Sequence, residues 1–224
     1  MLVLSVESSA VTASAALADG DKILKCEFIN KGLTHSETLL PLVEKVMDGR
    51  KYSELDAIAV SAGPGSFTGV RIGVAAVKGL AFPNDTPCIS VSSLEAIAYN
   101  FTEKNGIVCA VMDARRMQFY NALFEIKNGK VIRLTPDRAI SIEDLEKELE
   151  KYDSVTVAGD GAFLFSEKTT LNNVLLAPEN KVYQSAAGVC LAAQNKNTVL
   201  ASALMPVYLR QSQAERELKL KKEK

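Results

Sequence analysis

The feature that most constrains this chain is an order of elements that occurs twice. In the first half, Leu2-Val3-Leu4-Ser5-Val6 is an apolar run that ends at Glu7 and reads as a buried strand. Ala13 to Ala18 and Ile23 to Ile29 read as two further strands. They are joined through Asp19-Gly20, a dipeptide suited to the tight turn of a hairpin. A helix pattern covers Thr34 to Met47, followed by a strand at Leu55 to Ser61, a glycine-rich turn and a helix at Arg71 to Phe82. The second half repeats the order. Ile107 to Met112 is an apolar run ending at Asp113; Met117 to Ile126 and Lys130 to Leu134 flank the hairpin signal Asn128-Gly129. A helix pattern spans Ile142 to Tyr152, and Ser154 to Val157 leads into Gly159-Asp160-Gly161. Strand, strand, strand, helix, strand, helix, twice over, with an acid closing the first strand each time, indicates a duplicated α/β unit. It predicts two lobes facing a cleft.

The first glycine turn, Gly63-Pro64-Gly65-Ser66-Phe67-Thr68-Gly69-Val70-Arg71-Ile72-Gly73, sits between a strand and a helix. Such a turn gathers free backbone N–H groups at the positive end of a helix and can receive an anion. It is not a Walker A loop, because no Lys-Ser or Lys-Thr follows the glycines, and its spacing misses the dinucleotide fingerprint. The competing reading is a tight turn with Ser66 or Thr68 capping the helix. Gly63, Gly65 and Ser66, together with the strand-end acids Glu7 and Asp113, are therefore the candidates for a nucleotide or phosphate cleft. For each acid the alternative is a carboxylate that caps a neighbouring turn or, at Asp113, pairs with Arg115 or Arg116.

His35 is the only histidine, and the residue one helical turn on is Leu39. A histidine-based metal site needs a second ligand, and a Ser-His-Asp triad lacks its nucleophile elbow. Thr34-x-x-Glu37 reads as a capping box that places His35 in the first turn of a helix. Pro41 then falls inside that helix and should kink it or shift its start to Ser36. Cys26, Cys88, Cys109 and Cys190 form no CxxC pair and are expected reduced and mostly buried. A net charge of −1 argues against tight binding of nucleic acid by this chain alone. No signal peptide is read at the N-terminus and no apolar run reaches membrane-spanning length. Asn100 to Gly106 is the best boundary, dividing the chain into a lobe at 1–104, a second at 105–205 and a C-terminal segment at 206–224. That segment is expected to be a helix returning toward the first lobe. Within it, Ala214 to Lys224 is a charge run with Glu215–Lys219 and Glu217–Lys221 at helical spacing.

Four blocks in this order resemble the TsaB (YeaZ) family: Thr34-His35-Ser36-Glu37-Thr38-Leu39-Leu40-Pro41, the Ser61–Gly73 stretch, Asp113-Ala114-Arg115-Arg116 with Tyr120, and Pro206-Val207-Tyr208-Leu209-Arg210. The resemblance covers nearly the whole chain. It implies the duplicated actin-like (ribonuclease-H-like, ASKHA) fold, each lobe a mixed β-sheet with flanking helices. It also implies a non-catalytic, cytoplasmic subunit that acts with the catalytic TsaD and the ATPase TsaE. Their product is N6-threonylcarbamoyladenosine beside the anticodon of tRNAs that read codons starting with A. The H-x-x-x-H metal motif of TsaD becomes His35-x-x-x-Leu39 here, so no metal and no intrinsic cofactor are expected; ATP or ADP would enter only in the assembled complex. Glu7 departs from the Asp expected in many relatives. Expected partners are TsaD, TsaE, a second copy of this chain when TsaD is absent, and tRNA only through the complex.

The expected partner surface is a pair of first-lobe helices, with His35, Leu39, Leu40 and Val43 on one and Gly69, Gly73, Ala76 and Leu80 on the other. The bare glycine face would admit another helix closely. The alternative is that this face packs on the lobe's own sheet. Two other classes of function stand against this one: a free-standing actin-like nucleotide hydrolase or kinase, and a peptidase.

Overall fold

The structure, a computed structural model, describes residues 1–31, 34–115 and 117–210. The first repeat runs β1 (Leu2–Glu7), β2 (Ala13–Asp19), β3 (Lys22–Ile29), α1 (His35–Met47), β4 (Ala57–Gly63), α2 (Phe67–Ala81), β5 (Cys88–Ser92) and α3 (Ser93–Ala98). The second runs β6 (Gly106–Asp113), β7 (Gln118–Lys127), β8 (Lys130–Arg133), β9 (Arg138–Ser141), α4 (Ile142–Leu149), β10 (Val155–Ala158), α5 (Ala162–Lys168), β11 (Val174–Leu176), α6 (Glu179–Val182) and α7 (Ala186–Ala193). Sheet order is β3-β2-β1-β4-β5 in the first lobe and β8-β7-β6-β10-β11 in the second, with β9 added beside β7. Hairpin pairs are antiparallel and the crossover strands parallel in both. The duplication read from the sequence is thus a duplication of topology. β5, β9, β11, α6 and α7 were not among the expected elements.

α2 begins at Phe67, one turn before the expected Arg71, because Ser66 caps it: the Gly69 N–H donates to Ser66 Oγ at 3.3 Å. α1 begins at His35, and Pro41 is accommodated on its exposed side. The capping box does not form. Thr34 makes no side-chain cap; its carbonyl instead accepts the Glu37 N–H at 3.0 Å. Residues 206–208 form neither helix nor strand, and the Val207 N–H donates to Ala62 O at the end of β4. The charge run at 214–224 lies outside the described residues.

The cores cross the sequence boundary. The cut at 104/105 separates the two sheets, yet Leu94, Ile97 and Ala98 of α3 belong to the core of the second lobe. In exchange, Ala186, Val189 and Cys190 of α7 cover the first sheet, against Val3, Ala16, Ala59 and Ile89. Cys88, Cys109 and Cys190 are buried and Cys26 is exposed, all four as free thiols.

On the opposite face of the first sheet, α1 and α2 bury Leu39, Leu42, Val43, Val70, Val74 and Val77 against Leu4, Val6, Ile58 and Val60. Here one expectation is corrected. A Cβ on Gly73 would lie 2.6 Å from Ser8 Oγ and 3.3 Å from Val60 Cγ2, and one on Gly69 would overlap the Ser8 carbonyl. The glycine face of α2 points inward, so it admits the chain's own β1–β2 turn and not a helix from another molecule. Replacing Gly73 by Leu is therefore expected to lower the unfolding free energy by about 1–3 kcal/mol, the usual cost of overpacking. Urea denaturation with an unchanged m-value checks it; a variant of parental stability would place this face outside the core.

Candidate functional site

The turn from Ser8 to Thr12 connects β1 to β2 and forms one wall of a cleft between the lobes. It is held at three points by the elements it lies against. Ser8 Oγ donates to Gly69 O at 2.9 Å, the Ser66 N–H donates to Ser9 O at 2.7 Å, and His35 Nε2 lies 2.8 Å from Ala10 O. A carbonyl only accepts, so His35 carries its proton on Nε2. Nδ1 is buried without a partner. The cleft has a volume of about 410 Å³ and is lined by Ser9, Gly65, Ser66 and Phe67 from the first lobe, Asp113, Arg115, Tyr120 and Asp160 from the second, and Val207 to Arg210.

Of the five candidate cleft residues, Gly65, Ser66 and Asp113 line this space directly. Gly63 and Glu7 stand behind it. Gly63, at φ +119°, has no room for a side chain because the Val207 carbonyl occupies that position. Glu7 is fully buried; its Oε1 accepts the Ser9 N–H at 2.5 Å and its Oε2 has no partner. Burial raises the Glu7 carboxyl above its ordinary range, and the Ser61 hydroxyl and then Ser9 offset this in part. Asp113 makes the same kind of bond at the equivalent strand end: its Oδ1 accepts the Arg115 N–H at 2.7 Å. Both acids cap the turn two residues ahead of them, which was the alternative reading for each. Asp113 forms no ion pair among the described residues; Arg116 lies outside them.

Asp160 stood in the second glycine turn without being singled out. Burial pushes its carboxyl up to about 6; Gln184 Nε2, donating at 2.6 Å, draws it down, and Asp113 and Glu7 add to the rise. Gln184 Oε1 is itself buried and unpartnered. The cleft is thus lined by the acids Asp113 and Asp160 and the cations Arg115 and Arg210, with Glu7 behind it. Among the described residues, no three His, Cys, Asp or Glu side chains stand close enough together to hold a metal ion. Nor does any helix have the length and apolarity to cross a membrane.

The eight candidate partner residues divide. Leu39, Val43, Gly69 and Gly73 are buried in the first lobe and present nothing to solvent. His35 is half-buried and committed to Ala10. Leu40 is 46% exposed, and Ala76 and Leu80 are half-buried on the outer side of α2. Ile72 shares that half-buried stripe with them, one turn before Ala76, and was not among the candidates. The 3.6-residue period through 72, 76 and 80 carried the signal.

Residues 31–217 match the family model for TsaD, tRNA N6-adenosine threonylcarbamoyltransferase. The chain is 31% identical to the tRNA threonylcarbamoyladenosine biosynthesis protein TsaB of Bacillus subtilis over 223 residues, covering 96% of each. Its fold superimposes on YeaZ from Pseudomonas aeruginosa with a TM-score of 0.79 at 28% identity, covering 93% of this chain and 99% of that one. The ethanolamine utilization protein EutJ from Carboxydothermus hydrogenoformans shares the fold alone, with a TM-score of 0.51 at 14% identity over 86% of this chain and 90% of that one.

The raised Asp160 carboxyl gives a pH dependence of definite sign. Between about pH 4 and 6 the unfolded chain releases this proton while the folded chain keeps it, so this group's contribution to stability falls as pH rises through that window. Asp160→Asn removes the effect. The variant is expected to exceed the parent in stability at pH 7.5 by at most about 3 kcal/mol, from about 1.4 kcal/mol per pKa unit, and to match it at pH 4. Thermal melts of both proteins across that range decide the point; a variant less stable at pH 7.5 would contradict it.

Proposed function

The chain belongs to the TsaB family of tRNA threonylcarbamoyladenosine biosynthesis proteins, and from that membership we propose that it is the non-catalytic subunit of the modifying assembly. Its role lies in forming threonylcarbamoyladenosine on tRNA. In the proposed assembly it binds and supports the catalytic subunit TsaD, and TsaE joins them. The observation that carries this reading is the state of α1. Leu39 stands one turn after His35, where a second histidine ligand would be needed, and it is buried in the core. The remaining histidine spends its Nε2 proton on Ala10 O. A helix that would have to offer two ligands thus offers none, while the two-lobed frame around it is kept. The two strand-end acids support the same reading, since each caps its own turn. No metal or cofactor of its own is required for this role, and nucleotide enters only with the assembled complex. The chain works in the cytoplasm, contacts tRNA only through the complex, and pairs with a second copy when TsaD is absent.

The partner surface is the outer side of α1 and α2, carried by Leu40, Ala76 and Leu80. Leu39, Val43, Gly69 and Gly73 support it from beneath. The test is reconstitution with TsaD, TsaE, ATP, threonine-derived carbamoyl donor and tRNA. Modification should appear with this chain present and fail when it alone is omitted, and the chain by itself should be inactive. It should show no sub-micromolar tRNA binding at about 150 mM salt. Modification that proceeds equally well without this chain would defeat the proposal. Leu40→Glu combined with Ala76→Glu should keep the parental melting temperature to within a few degrees, since both positions reach solvent, and should lose TsaD binding by calorimetry. Unaltered binding would move the surface elsewhere.

A further inference from the structure

After α7 the chain passes from one lobe to the other along the cleft, which Val207 to Arg210 help to line. Residues 206–210 leave the first lobe, where the Val207 N–H is bonded to Ala62 O at 2.7 Å, and reach the second, where Arg210 Nη1 donates to Ala114 O at 2.8 Å. Between these anchors Tyr208 lies on the first turn of α2. Its ring stacks on Phe67 with centroids 4.7 Å apart, and its hydroxyl accepts from Arg71 Nε at 2.8 Å. The Arg71 guanidinium in turn covers the Phe67 ring at 3.9 Å.

Two properties distinguish this crossing from ordinary packing. Val207 and Tyr208 remain 47% and 40% exposed, so the segment is fastened by a few directed contacts and buries little apolar surface. Segments with few buried apolar contacts open locally at low cost. At its far anchor, the loop after β6 holds Arg115 and Met117 at positive φ, +66° and +56°, a conformation that side-chain-bearing residues adopt only when their surroundings enforce it. Ala114, whose carbonyl takes the Arg210 bond, begins that loop.

We propose that 206–210 is an inter-lobe latch. It ties the end of β4 and the start of α2 to the strained turn after β6, it roofs the cleft, and its release opens the cleft while freeing the Phe67–Arg71 face. Gly63 is the seat that lets the latch lie against β4, since a side chain there would collide with the Val207 carbonyl. The latch stands independently of the tRNA-modification reading, because it rests on contacts within this chain.

Hydrogen exchange on the full chain tests it with two variants that act on opposite ends. Arg210→Ala removes the second-lobe anchor. Tyr208→Ala removes the first-lobe clasp, the contacts with Phe67 and Arg71. Each should speed exchange about tenfold at 206–210, in line with loss of one directed contact to a locally opening segment. Each should also speed it at 113–118, with peptides of β1, β4 and β6 unchanged. Tyr208→Phe, which keeps the stacked ring and loses only the hydroxyl, should fall between. Acceleration confined to 206–210 in Tyr208→Ala would overturn the latch, because the clasp would then not communicate with the other lobe. Acceleration spread over both sheets would overturn it too, making the segment part of the common core.

Discussion

The arrangement rests on a steric constraint, the seating of the Ser8–Ala10 turn in a track that has no room for side chains. Gly65, Gly69 and Gly73 form the track, and Ser8 and Ser9 lie in it. Because the turn is sunk to this depth, Glu7 is carried out of solvent, and its carboxylate is turned onto the Ser9 amide. Because the turn passes under α1, His35 finds a carbonyl in place of a metal or a substrate. The cleft wall, the state of the lone histidine and the burial of the acid thus follow from one close approach.

The same economy appears in the second lobe at lower precision. Asp113 repeats the role of Glu7 and caps its own turn, but it remains exposed. The more enclosed acid there is Asp160, half-buried and held by Gln184 from the segment leading into α7. Duplication has conserved topology and the turn-capping carboxylate, while the burial of charge has moved from one strand end to a neighbouring loop.

What the sequence made legible is what is encoded locally. Both hairpins follow from Asp19-Gly20 and Asn128-Gly129, and the repeat follows from strand runs that end in an acid. β9 and β11 have only four and three residues, too few to establish alternation. α7, Ala-Ala-Gly-Val-Cys-Leu-Ala-Ala, is apolar all round, so it shows no helical period; such a helix is buried on more than one side. The bare side of α2 was visible as a pattern, but a face without side chains fits an inner and an outer contact equally well. Only the position of Ser8 decides between them. Leu39 and Val43 were legible as apolar and not as buried, for the same reason. Asp160 was not singled out, and Pro206 to Arg210 reads as a block of resemblance and the start of a helix but not as a cleft wall, since each draws its place from residues far away in the chain.

The exchange of α3 and α7 between the lobes fixes an order of events as the chain is made. Most of one face of the first sheet is covered by α7, residues 186–193, with Ala96 of α3 beside it. As synthesis proceeds from the N-terminus, β1 to β5 emerge long before the helix that shields them. Until α7 is made, the apolar face that it covers in the folded chain lacks that cover. Translation of the second lobe completes the first.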